Sequence, residues 1–186
     1  MIVGVDEVGR GCLAGPVCVA AVSLDVAIKG LGDSKKIPAP TRERLAVEVK
    51  KVATYVSIGW AGPGEVDRYG IVGALRRAAL RALEGCDAEA TEILLDGRDN
   101  YIHDPRVRTI IRGDDSEPAI SAASIVAKVA RDHYMHALHA KFPNYGFGSH
   151  VGYATKQHRD ALVAHGPCLI HRFSFEPLRS AYGFVA

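Results

Sequence analysis

MIVGVDEVGRGCLAGPVCVAAVS, residues 1–23, decides the fold class. Residues 1–5 are apolar on both alternating faces, the mark of a strand covered on both sides. The run ends in two acids, Asp6 and Glu7, followed by a turn rich in Gly and Pro. A second strand-like run, 17–23, comes next, and two such runs on a tight link favour an antiparallel pair. Further along, residues 41–51 follow Pro40 as a helix, 55–60 form a strand, and 62–70 are punctuated, with room for a short helix. Residues 71–83, rich in Ala, Leu and Arg, read as a helix stopped at Gly85. Strands are expected at 92–95, ending in Asp96-Gly97, and at 107–111. The longest helix is expected at 118–141, closed by Pro143, and another at 155–165 before an irregular tail. This order predicts an α/β domain with a mixed sheet over 1–141, and a helical C-terminal extension, 142–186, packed on it as one structural unit.

Composition excludes several classes. The 186 residues are 48% hydrophobic and 24% charged, ordinary for a globular chain and unlike a disordered, collagenous or coiled-coil one. The apolar stretch 13–22 is broken by Gly15-Pro16 and falls short of the ~20 residues of a membrane span. Asp6, Glu7 and Arg10 stand where a signal peptide has its apolar core, so a cytoplasmic location is expected. Cys12, Cys18, Cys86 and Cys168 form no C-x-x-C pair and read as reduced, mostly buried residues. Net charge is +2, but residues 141–186 hold five bases against two acids, together with His150, His158, His165 and His171. That bias is compatible with a polyanionic partner.

The informative acids sit in apolar surroundings. Asp6 and Asp96 each close an apolar strand, and Asp132 shares a helical face with Ile125 and Val129. An unpaired charge is costly to bury, so each such acid needs a cation, a proton or an ion-pair partner. One could be a structural ion pair; three, with Glu7 beside them, favour a shared metal site at the strand ends, where α/β sheets place ligands. Carboxylates without matching Cys or His point to Mg²⁺ or Mn²⁺. Two such ions ~3.5–4 Å apart can activate water and stabilise the leaving oxygen in phosphodiester cleavage. Asp6 and Glu7 point to opposite faces of a regular strand, so both reach one site only if the strand bends.

The loop Gly9-Arg10-Gly11 lets backbone approach a ligand closely and offers an Arg fork for phosphate, although tight turns use such triplets often. Asp33-Ser34-Lys35-Lys36 is either a solvated turn or a phosphate contact through Ser34 and Lys35. NYGFGSHVGYATKQH, 144–158, sets three aromatics among glycines, two His and a Lys, suited to stacking on sugars or bases or to a small aromatic core. His133, His136 and His139 lack the i, i+4 spacing of a zinc-binding helix and read as surface or partly buried residues.

Six separated motifs in one order resemble the bacterial ribonuclease HII family. They are GVDEVGRGCLAGPV at 4–17, DSKK at 33–36, LLDG at 94–97, SAASIVAKVARD at 121–132, YGFGSHVGYATKQH at 145–158 and HRFSF at 171–175. The resemblance implies an RNase H-like mixed sheet flanked by helices, with a C-terminal helical extension. It also implies a four-carboxylate catalytic and metal site of Asp6, Glu7, Asp96 and Asp132, with Asp6 bridging two Mn²⁺ or Mg²⁺ ions. The expected substrates are RNA–DNA hybrid and duplex DNA containing ribonucleotides, cut 5′ of the ribonucleotide to leave 3′-hydroxyl and 5′-phosphate ends. Gly9, Arg10, Gly11 and Tyr153 match the residues that read the junction, where the 2′-hydroxyl marks ribose. A monomer that removes ribonucleotides from DNA is expected.

The chain departs from the family pattern at Cys12 for proline, Ser116 for lysine and Gly70 for asparagine. Two rival readings are a nuclease of the same fold acting on DNA alone and a nucleic-acid-binding module whose acids are structural ion pairs. The tail 182–186 carries no clear partner-binding peptide.

Overall fold

The computed structural model describes residues 1–183, so the last three residues of the tail fall outside the described residues. Five strands form its sheet: β1 (Ile2–Val8), β2 (Val17–Ser23), β3 (Tyr55–Ala61), β4 (Glu92–Asp96) and β5 (Val107–Ile110). Their order is β3-β2-β1-β4-β5. The two runs of the opening stretch pair antiparallel, Gly4 opposite Val22 and Val8 opposite Cys18, and β3 continues the meander. β4 and β5 instead join parallel to β1, so β1, β4 and β5 end at the same edge.

Helices cover both faces, which is why the central strands are apolar throughout. On one face, Val3, Val5, Val17, Val19 and Ala21 pack with Ile93 and Leu95 against α2 (Pro63–Leu83). On the other, Cys18, Ala20 and Val22 meet α1 (Ala39–Val52) and the long helix α4 (Pro118–Lys141). A short helix, α3 (Gly113–Ser116), joins β5 to α4. The backbone of α4 lies directly on β1: a Cβ added at Gly4 would stand 2.1 Å from the Ala119 carbonyl carbon. Only glycine lets sheet and helix approach this closely.

After a 3₁₀ turn at Pro143–Tyr145 come α5 (Phe147–His150), α6 (Lys156–His165) and α7 (Leu178–Tyr182). They build a third apolar cluster, in which Tyr145, Phe147, Leu162 and Leu178 close over Leu13, Ala14, Met135 and Leu138. The tail expected to be irregular therefore contains a helical turn, fixed by Leu178 in this cluster. The stretch 63–83 is two helical segments joined at Gly70, as the punctuation at 62–70 suggests; Gly70 takes φ 69° and ψ 168°, a non-helical conformation that favours glycine. Among the described residues, no helix is long and apolar enough to cross a membrane.

Candidate active site

Register brings the acids together. Val5 pairs with Leu95, so Asp6 and Asp96 are the next residues on parallel neighbours, and Asp96 in turn pairs with Ile110. From Ile110 the chain turns through Arg112 and Gly113 to Asp114 in α3, and the Gly113 N–H donates to Asp96 Oδ1 at 2.8 Å. One carboxylate oxygen from each of Asp6, Asp96 and Asp114 lies within 4.8 Å of the others. Asp6 and Asp114 are buried and Asp96 is half-buried. No Lys, Arg or His makes an ion pair with any of the three among the described residues.

The electrostatics are those of a site short of positive charge. Burial, reinforced by Glu7 and Asp96, pushes the Asp6 carboxyl well above its ordinary range, against the opposing contact of the Ser124 hydroxyl. Burial, then Asp96 and Asp33, raises Asp114. Burial also raises Glu7, with the Arg10 guanidinium working the other way. Three oxygen donors at this spacing suit a hard divalent cation, which would relieve the repulsion.

β1 runs regularly through Val8, so Asp6 and Glu7 leave it on opposite sides. Asp6 faces α4 and Ser124. Glu7 sits on the α2 side, where Tyr101 Oη donates to Oε2 at 3.2 Å and Arg10 Nη1 lies 3.6 Å from Oε1. The bend that would merge the two is absent. Both still line the same cleft, because they stand at the strand's open end.

That cleft, of about 450 Å³, is lined by Asp6, Glu7 and Val8 with Ser34, Lys35, Arg42, Ser124, Lys128 and Tyr153. Ser34 is held there by Ser124, whose hydroxyl donates to it at 2.9 Å. The Lys35 N–H donates to Asp33 Oδ1, shaping the turn that presents Ser34 and Lys35. The turn expected as either solvated or functional thus borders the acids. Tyr153 is partly exposed on the cleft wall, while Tyr145 and Phe147 of the same loop are buried and stacked on each other.

Asp132, expected as the fourth carboxylate, is not among the three clustered acids. It stands outside the acid cluster, eight residues beyond Ser124 on α4, about 12 Å along the axis. Its oxygens take Lys128 Nζ at 2.8 Å and Arg42 Nη2 at 3.8 Å. It is an ion-pair partner for two cations that line the cleft. The third clustered aspartate is Asp114, which sequence reasoning missed. The signal was there: Asp114 follows an apolar strand as Asp6 and Asp96 do, but three residues late and beside Asp115, whose charge goes to Lys36 at 2.8 Å.

Of the histidines on α4, His133 and His136 are exposed, His133 pairing with Glu43 at 2.7 Å, and His139 is partly buried. All four cysteines are free. Gly70 and Ser116 are exposed, and Cys12 is buried beneath the loop that carries Arg10.

Residues 3–177 match the family model for ribonuclease HII. The chain is 46% identical over its full length to ribonuclease HII of Burkholderia mallei, covering 87% of that protein. It is 47% identical over 96% of its length to ribonuclease HII of Nitrosococcus oceani, covering 90% of that protein. Among solved structures, the PCNA:RNase HII complex from Archaeoglobus fulgidus contains a chain that superposes with a TM-score of 0.80 at 26% identity, covering 95% of each chain.

Proposed function

The chain belongs to the ribonuclease HII family, and from that premise we propose how its residues perform the work of a metal-dependent endoribonuclease on RNA–DNA hybrids. The observation that carries this reading is the cluster of Asp6 and Asp96 at the ends of two parallel strands with Asp114 from α3, without ion-pair partners among the described residues, of which Asp6 opens onto a cleft bordered by cations.

Asp6, Asp96 and Asp114 would hold a divalent cation, Mg²⁺ or Mn²⁺, with Glu7 alongside. Such an ion would supply Lewis-acid activation of water and relief of charge at the leaving oxygen. The chain's own groups do the rest. Lys35, Arg42 and Lys128 present positive charge to the substrate's phosphates on the cleft wall. Asp132 orients Lys128 and Arg42 and touches no substrate. The backbone of Gly9, Arg10 and Gly11 and the ring of Tyr153 read the ribose at the junction through its 2′-hydroxyl. Water adds to phosphorus, the P–O3′ bond breaks, and the products carry a 3′-hydroxyl and a 5′-phosphate. A duplex with one embedded ribonucleotide is nicked on its 5′ side.

Against the ion-pair reading, the three clustered aspartates have no cationic partner among the described residues, whereas Asp132 has two. The test is a duplex carrying one ribonucleotide, run with Mg²⁺, with Mn²⁺ and with chelator beside all-DNA and hybrid duplexes. A metal-dependent nick 5′ of the ribonucleotide, absent from all-DNA, is expected. Cleavage of all-DNA would favour the DNA nuclease, and binding without any cleavage would favour the binding module.

A further inference from the structure

Two fully buried arginines lie beside the cleft with no carboxylate partner among the described residues. Arg131 projects from α4 and donates through Nε to Pro16 O (2.9 Å), through Nη1 to Val151 O (2.9 Å) and through Nη2 to Ala14 O (3.1 Å). Arg172 comes from the C-terminal segment and donates through Nε to Gly15 O (3.0 Å) and through Nη1 to Arg10 O (3.0 Å). Its Nη2 has no hydrogen-bond partner among the described residues. A buried guanidinium is costly, and here its donors go almost wholly to the carbonyls of one loop, 10–16, and of the turn before Tyr153. The loop has little structure of its own: its internal backbone bond, Cys12 N–H to Gly9 O, is long at 3.4 Å.

The fit is tight at both ends. A Cβ on Gly9, which has φ +88°, would stand 2.2 Å from Arg131 Nε. One on Gly152, with φ +91°, would stand 2.4 Å from Ala14 O. Backbone bonds close the frame: Leu13 N–H to Gly152 O at 2.9 Å and Gly15 N–H to Ile170 O at 2.8 Å. Asp67 on α2 fixes the chain after Arg172 by accepting the Phe173 and Ser174 N–H groups.

We infer that Arg131 and Arg172 are positioning residues that lock the Gly9–Gly11 loop to the Tyr153 turn, so that the two present one preformed surface to the ribonucleotide junction. This rests on the assignment of that loop and Tyr153 as the junction readers. The arginines touch neither substrate nor cation. They set the spacing between two reading elements that come from opposite ends of the chain. Preorganisation of this kind is expressed in binding of the substrate.

The test compares Arg172→Met and Arg172→Lys with wild type on a duplex containing one ribonucleotide. Loss of a charge-assisted hydrogen bond to a reading loop should raise KM about tenfold for Arg172→Met with kcat nearly kept, and Arg172→Lys should recover part of it. Mn²⁺ affinity, followed by electron paramagnetic resonance, should stay at the wild-type value. Where Arg172→Met does not fold, Arg172→Lys carries the test alone and should still raise KM. A fall in thermal stability with KM unchanged would overturn the proposal by making Arg172 a purely structural group. Loss of Mn²⁺ affinity would overturn it too, since the effect would then reach the acids. Tyr153→Ala tests the underlying assignment separately: no change in its KM means the turn does not read the junction, whatever Arg172 does. If both are right, adding Tyr153→Ala to Arg172→Met should raise KM by less than the two effects combined.

Discussion

Asp6 meets two further carboxylates and a serine hydroxyl in a buried strand end, and its neighbours make its charge unwelcome without a cation. The folded-state values of Asp6, Glu7 and Asp114 are all raised. Such groups contribute stability that is fully present below the ordinary carboxylate range and is lost as pH rises through their folded values. Metal-free protein should therefore melt at lower temperature as pH rises above the ordinary carboxylate range, and Asp6→Asn should flatten this fall. Each kcal/mol relieved at pH 8 should appear as a rise of about 2–4 °C in Tm for a chain of this size. Thermal melts in chelator check this; Mn²⁺ should raise the wild-type Tm and leave Asp6→Asn nearly unmoved. An Asp6→Asn variant less stable than wild type at pH 8 would contradict the electrostatic account. Of the acids, Asp6, Glu7 and Asp96 were legible from the sequence as carboxylates closing apolar runs. Asp114 was not, because Asp114 and Asp115 are equal in a one-dimensional pattern and only the turn after β5 aims the first at Asp96. Asp132 misled because a helical face with apolar neighbours does not reveal that Lys128 and Arg42 converge on it.

β1 and α4 form the element pair that sets the site. Gly4 allows their contact, and Ser124 on α4 then reaches Asp6 on β1. Gly4→Ala would drive a methyl group into the Ala119 backbone, so it should cost at least about 3 kcal/mol and lower activity in whatever fraction folds. Urea titration with a parallel nicking assay measures both. Nearly every long element was readable from periodicity and punctuation: β2 and α4 fall on the expected residues, and the Gly/Pro turn gives the antiparallel β1–β2 pair. The parallel entry of β4 and β5 was not, since nothing local in 92–96 or 107–110 names a partner strand. Short α3, α5 and α7 escaped for another reason: at four or five residues they have no periodicity to detect, and tertiary contacts hold them.

At the scale of the whole molecule, a net charge of only +2 coexists with a cleft wall bearing Lys35, Arg42 and Lys128. Phosphate contacts release counterions, so KM for a duplex should rise steeply between about 50 and 200 mM salt. The slope should fall by about one when Lys35 is replaced by Ala, and by less for Asp132→Asn. A salt-independent KM would mean that these cations do not meet the backbone. The two ends of the chain also meet at the reading surface, where Arg172 holds the carbonyl of Arg10. No sequence pattern predicts that pairing across the length of the chain. In the reading proposed above, Asp6, Asp96 and Asp114, rather than Asp132, form the cation site. The decisive measurement is nicking of a duplex with one ribonucleotide by Asp114→Asn and Asp132→Asn, side by side in saturating Mn²⁺. Asp114→Asn should lose at least about 100-fold in kcat, while Asp132→Asn should keep kcat within about tenfold and lose mainly in KM. Near-normal turnover by Asp114→Asn with Asp132→Asn inactive would contradict that reading.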